Sequence, residues 1–228
     1  MIIIGDVHGC IKTLEALLKK LPENDTICFT GDLIDRGPGS REVVELVMER
    51  GYDCVLGNHE YMMLAARRAL PKEKANPYAG LRDAALLWEY NGGVETAESY
   101  GGWDFPQEHL DWMNTLPAYK SYSCANEKGL KLLVSHSMVA RGNRLEDAEE
   151  RLWRSDSIIW HRGDPEEFTQ YYHVFGHTPH KDPRVENTWA CIDSGCVYPN
   201  EGYGKLTALL FPQLELIQQE RLDDLNLE

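Results

Sequence analysis

The chain has 228 residues, 43% of them hydrophobic and 26% charged, which suits a soluble globular protein with a sizeable core. A formal net charge of −14 argues against a partner that is a nucleic-acid backbone, since such binders cluster lysine and arginine. No apolar run approaches the roughly 20 residues of a membrane span.

Six cysteines (Cys10, Cys28, Cys54, Cys124, Cys191 and Cys196) form no C-x-x-C pair and no zinc-like spacing. Met1 opens straight into an apolar strand, leaving no room for a signal peptide, so a reduced cytoplasmic setting is expected.

Ile2-Ile3-Ile4 reads as a buried strand that ends at Gly5. Ile11, Leu14, Leu17, Leu18 and Leu21 follow at helical spacing, closed by Pro22. A strand over 26–30 leads into Gly31-Asp32-Leu33-Ile34-Asp35-Arg36-Gly37, after which Ser40 is placed to cap a helix bearing Val43, Leu46 and Val47. Gly51 ends that helix, and a strand over 54–56 runs into Gly57-Asn58-His59-Glu60. Strand, polar loop and helix repeat, so the chain starts as βαβαβ with three parallel strands.

From His59 to about Tyr100 the pattern is helical, broken at Asn91-Gly92-Gly93, and another helix covers 108–116. A hairpin joins 119–123 to 130–135 across 126–129. Segments 157–160, 174–175, 190–193 and 205–211 supply further strands, and 218–228 reads as a polar tail. The second half is expected to form a second sheet packed on the first, with 1–228 as one domain.

Asp6, Asp32 and Asn58 are each 26 residues apart, the length of one crossover unit, so they should reach neighbouring strand tips. Ligands in such sheets bind beyond the carboxyl ends of the strands. His136 and His177 also directly follow apolar strands. Any one of these taken alone is ordinary turn or core chemistry. Together, Asp6, His8, Asp32, Asn58, His136 and His177 form an oxygen and nitrogen set suited to manganese, iron or zinc, with enough ligands for two ions. His109, His161, His173 and His180 lack such support and read as structural or surface residues.

The three motifs Gly5-Asp6-Val7-His8-Gly9, Gly31–Gly37 and Gly57-Asn58-His59-Glu60 resemble the signature of the phosphoprotein phosphatase family of calcineurin-like metallophosphoesterases, most closely its small bacterial and bacteriophage members. Ser135-His136, Ile159–Arg162, Phe175–Pro179 and Ile192–Gly195 extend the likeness over nearly the whole chain. The resemblance implies an α+β fold, a four-layer αββα sandwich of two mixed sheets flanked by helices. It also implies two divalent ions, manganese first and iron or zinc next: Asp6 and His8 on one, Asp32 bridging, and Asn58, His136 and His177 on the other. His59 would be the general acid supported by Asp35, and Arg36 and Arg162 would hold phosphate. Phosphoserine and phosphothreonine in proteins would be hydrolysed by direct attack of a hydroxide shared between the metals.

Hydrolysis of symmetrical dinucleoside tetraphosphates is the alternative, since those enzymes share the metal core, and Trp88-x-x-Asn91-Gly92-Gly93 resembles a segment common in them. Asp35 and Glu60 weigh toward the protein phosphatases. A metal-binding scaffold without activity would be expected to have lost a ligand or His59, and this chain keeps them all.

Overall fold

Three consecutive isoleucines stay dry only in a strand covered on both faces, because successive side chains point opposite ways. Ile2–Ile4 (β1) is such a strand: Ile2 and Ile4 pack among Leu14, Leu17, Val43 and Val47, while Ile3 faces a second sheet. The structure, a computed structural model, describes residues 1–23, 25–70, 75–76 and 80–225.

β1 pairs in parallel with β2 (Ile27–Phe29), and β2 with β3 (Asp53–Cys54), Ile3 lying opposite Cys28 and Cys28 opposite Asp53. The crossovers are α1 (Ile11–Leu18) and α2 (Ser40–Glu49), so the expected βαβαβ start is present. Antiparallel β9 (Lys205–Leu210) and β10 (Glu215–Glu220) complete this sheet in the order β10-β9-β1-β2-β3.

The second sheet contains β4 (Tyr119–Ala125), β5 (Lys131–Ser135), β6 (Tyr171–Phe175), β7 (Arg184–Val185) and β8 (Trp189–Cys191), ordered β4-β5-β6-β8-β7. The hairpin β4–β5 is antiparallel, and β5, β6 and β8 are mutually parallel. Leu132, Val134, Tyr172, Val174 and Ala190 meet Ile3, Cys28 and Val55, which makes the layer between the two sheets. The fold is therefore the expected sandwich of two mixed five-stranded sheets flanked by helices.

Helices α3 (Asn58–Ala66), α4 (Leu81–Trp88), α5 (Val94–Ser99) and α6 (Gln107–Thr115) lie between the sheet-forming halves of the sequence. Among the described residues no helix is long and apolar enough to cross a membrane.

Several expectations are corrected. Ser40 does not cap α2; its hydroxyl is taken by the Asp35 N–H at 3.0 Å and by Thr96. Strand 54–56 shrinks to Asp53–Cys54, because Leu56 leaves the ladder and donates its N–H to the Pro117 carbonyl. Segment 157–160 forms turns, with Trp160 and His161 N–H both donating to the Ser157 carbonyl. The expected break at Asn91–Gly93, by contrast, is present: Gly92 leaves the helical path at φ 104, and the kinked turn Glu89–Gly93 joins α4 to α5.

The polar tail is overturned as well. Residues 218–220 belong to β10, and Asp223 is buried (residues 226–228 lie outside those described). The Asp223 carboxylate accepts the Lys12 and Thr13 N–H groups at 3.0 and 2.9 Å and the Thr13 hydroxyl at 2.6 Å. Helix α1 has no capping side chain of its own, so its first turn is capped from the far end of the sequence. Asp223→Ala should cost about 1–2 kcal/mol and lower Tm by about 3–6 °C. An unchanged melting curve would mean that this segment is the loose tail its composition suggests.

Candidate metal centre

The carboxyl ends of β1, β2, β3, β5, β6 and β8 converge, and each is followed by a polar residue of the site. These are Asp6 and His8, Asp32 to Arg36, Asn58 to Glu60, His136, His177 and Asp193. Among the described residues, seven non-glycine residues have a left-handed φ, and five are in these loops: His8, Asp32, Asp35, Arg36 and His177. Each such residue costs about 1–3 kcal/mol, so the surrounding contacts must hold it.

Glu60 supplies the largest of those contacts. Fully buried at the start of α3, its carboxylate accepts the N–H of Asp32 at 3.0 Å, of Leu33 at 2.8 Å and of Gly57 at 3.0 Å. It thereby binds the loop after β2 to the loop after β3. Gly57 is obligatory at that crossing, because a Cβ there would fall on the Asp32 amide and carboxylate. The His59 N–H, in turn, donates to Asp32 Oδ1 at 3.1 Å.

The imidazole tautomers follow from their acceptors. Nδ1 of His8 lies 2.9 Å from the Ile34 carbonyl and Nδ1 of His136 lies 2.8 Å from the Thr30 carbonyl. A carbonyl only accepts, so each Nδ1 carries the proton and each Nε2 presents a lone pair to the centre. Around His136 Nε2 stand Asn58 Oδ1 at 2.8 Å, His177 Nδ1 at 3.1 Å and Asp32 Oδ1 at 3.4 Å.

Two clusters have ligand atoms within 4.8 Å of one another, His8–Asp32–His59 and Asp32–His136–His177, and Asp32 belongs to both. Oxygen and imidazole lone pairs converging on two adjacent points fit a pair of borderline divalent ions with Asp32 between them. Asp6 stands beside Asp32 and Asp193, its carboxylate oriented by the Thr30 hydroxyl and the His177 N–H, which donate to it at 2.9 Å each.

Burial dominates the protonation energetics. It pushes the carboxyls of Asp6 and Asp32 well up, helped for Asp6 by the charges of Asp193 and Asp32 and for Asp32 by Glu60. It lowers the imidazoles of His8 and His59, and holds His136 down at about 3. Neutral imidazole is the form that ligates a metal.

Asp35 is held from every side. Its carboxylate accepts Trp88 Nε1–H at 3.0 Å, the Thr96 hydroxyl at 2.6 Å and His59 Nδ1–H at 2.6 Å. Burial raises its carboxyl while Thr96 and Trp88 pull it back. His59 Nε2 then faces the cavity, where Arg36 donates to it at 3.0 Å and to His8 Nε2 at 2.9 Å.

Arg36 and Arg162 are the arginines among the residues lining this cavity of about 210 Å³. Arg162 is exposed, its Nε 3.1 Å from His177 Nε2, whereas Arg154 pairs with Asp156 on the surface. Sequence reasoning gave no role to Asp193, which is buried, lines the cavity and is pushed up to about 6. Its position after β8 repeats the strand-end signal of the other ligands. The clamps from Trp88 and Thr96 carried no such signal, being 53 and 61 residues from Asp35.

The family model for calcineurin-like phosphoesterases matches residues 1–204. The chain belongs to that family. Bis(5'-nucleosyl)-tetraphosphatase PrpE (asymmetrical) of Oceanobacillus iheyensis is 28% identical across 94% of this chain and 90% of its own. The symmetrical bis(5'-nucleosyl)-tetraphosphatase of Citrobacter koseri is 46% identical, over 37% of this chain and 33% of its own. A crystal structure of a candidate diadenosine tetraphosphatase superposes with TM-score 0.64 at 22% identity, covering 96% of this chain and 92% of that one. A Saccharomyces cerevisiae protein serine/threonine phosphatase similar to human PP5 gives 0.56 at 15%, covering 100% and 81%. These two structures speak to the fold alone.

The phosphoesterase carries candidate ligands for a dinuclear site, and Glu60 is what holds its loops in register. Glu60→Gln leaves the shape but turns an amide N–H toward backbone donors, costing about 1–3 kcal/mol per buried group left unpaired. Metal content after dialysis, read by elemental analysis, should fall well below wild type. Full retention of both ions would show that the loops hold without this carboxylate.

Proposed function

We propose that this phosphoesterase hydrolyses nucleoside polyphosphates of the dinucleoside tetraphosphate class. The observation that carries this reading is that the PrpE-type relatives align along 94% of this chain and 90–91% of their own. The phosphoprotein reading stands second. It is favoured by the fully clamped Asp35–His59 pair, a proton-donor arrangement that a poor leaving group needs most. We place the activity in the cytoplasm, where six cysteines would remain thiols.

The ions, manganese first and iron or zinc next, would be held by Asp6, His8, Asp32, Asn58, His136 and His177. When bound they would neutralise phosphoryl charge and lower the pKa of water to about 7.

The chain's own residues supply the rest. Arg36 and Arg162 line one cavity, and guanidinium forks bind phosphoryl oxygens bidentately. Phosphate entering there would draw Arg36 off His8 and His59, freeing both Nε2 atoms. Asp35 holds the Nδ1 proton of His59, which leaves Nε2 to carry a proton toward the departing oxygen.

That role predicts a split between substrates. A serine alkoxide needs a proton to leave, whereas a nucleotide phosphate leaves as a stable anion. His59→Asn should therefore lower kcat about 10²-fold or more on a phosphoserine peptide and much less on diadenosine tetraphosphate, with metal content near wild type. Loss of the metals in His59→Asn would make His59 a ligand instead, as its cluster with His8 and Asp32 permits. Wild-type kcat/KM on the two substrates, measured side by side, decides between the two readings.

A further inference from the structure

A second cavity, of about 570 Å³, opens beside the metal cavity and shares three wall residues with it: Arg36, Asn91 and Tyr198. Tyr198 forms the partition, its hydroxyl 3.4 Å from Arg36 Nη1 and its ring centroid 5.8 Å from the guanidinium carbon. A substrate whose phosphate lies against Arg36 therefore has this space for its next group.

The outer wall is the kinked turn Glu89–Gly93, in which Gly92 leaves the helical path. The turn is fixed to the site by Gly92, whose carbonyl accepts the Arg36 N–H at 3.1 Å. At φ +104, a Cβ on Gly92 would lie 2.7 Å from the Arg36 backbone nitrogen, so only glycine allows this approach. One residue from Asn91 in the same turn, Tyr90 is 91% exposed at the cavity wall. A tyrosine ring left in water on a backbone anchored to Arg36 is a face prepared for a flat partner.

The charge of the cavity narrows that partner. Glu89 and Glu95 line it, and two carboxylates disfavour a phosphate there while offering acceptors to a neutral N–H₂ group. A flat, uncharged group bearing an amino function, joined to a phosphate through an intervening sugar, is an amino-substituted nucleobase on its nucleotide. We propose that this cavity is the nucleobase subsite of the phosphoesterase, with Tyr90 as its stacking face and Glu89 and Glu95 as acceptors for the exocyclic amino group. The assignment rests on the dinucleoside polyphosphate reading above.

The test compares wild type, Tyr90→Ala and the Glu89→Gln, Glu95→Gln double variant on three substrates: diadenosine tetraphosphate, diinosine tetraphosphate and p-nitrophenyl phosphate. Tyr90→Ala should raise KM for both dinucleotides about tenfold, the scale of one lost base–aromatic stack, and leave p-nitrophenyl phosphate kinetics unchanged. The double variant should raise KM for diadenosine tetraphosphate and spare diinosine tetraphosphate, whose bases lack the amino group. If wild type cleaves diadenosine tetraphosphate and neither variant shifts its KM, the subsite assignment is overturned and the substrate reading survives. If wild type cleaves p-nitrophenyl phosphate but neither dinucleotide, the substrate reading falls and the subsite with it. Should the variants instead impair only an arginine-containing phosphopeptide, the cavity is a peptide groove and the proposal is equally overturned.

Discussion

One carboxylate, that of Glu60, sets the geometry on which the rest of the centre depends. Glu60 is fully buried, and three backbone N–H groups from two different loops satisfy its carboxylate. A buried carboxylate is tolerable only when so satisfied, which makes the arrangement stiff as well as stable. With Asp32 and Leu33 fixed to Gly57, the metal-facing carboxylate of Asp32 has one place to be. The left-handed backbone of Asp32, Asp35 and Arg36 is the cost of bringing their side chains into the space beyond β2.

The electrostatics follow from the same tightness. Six strand ends bring Asp32 and Asp193 close enough for their charges to raise Asp6, and bury the neighbouring imidazoles in neutral form. Backbone carbonyls of Ile34 and Thr30 choose the tautomers, so lone pairs rather than protons face the centre. Asp35 is treated differently: Trp88, Thr96 and His59 all donate to it, so its charge orients an imidazole instead of meeting a metal. Two carboxylates three residues apart thus perform separate work because different helices surround them.

Selectivity is assigned to the periphery. The kinked turn after α4 packs against Arg36 on one side and presents Tyr90 to solvent on the other. The loop carrying Tyr198 divides the reaction cavity from its neighbour. The same centre could accept a protein-bound phosphate or a polyphosphate, and the surroundings of Arg36 are where those substrates would be told apart.

Much of this was legible in the sequence. Isoleucine triplets, glycine-bounded loops and the 26-residue repeat follow from local rules of burial and turn chemistry, so the βαβαβ start and the strand-tip positions of Asp32, Asn58, His136 and His177 could be read directly. The resemblance of three motifs added the family. Only the tertiary structure decided what Asp35, Glu60, Asp193 and Asp223 each bind, because their partners lie on other elements and no spacing rule links them. It also turned an expected polar tail into an edge strand with a cap for α1, since a polar segment gains order only from a neighbour such as β9. Asp6 shows the same division: its motif placed it at a strand tip, and only the tertiary structure showed that the Thr30 hydroxyl and the His177 N–H orient its carboxylate.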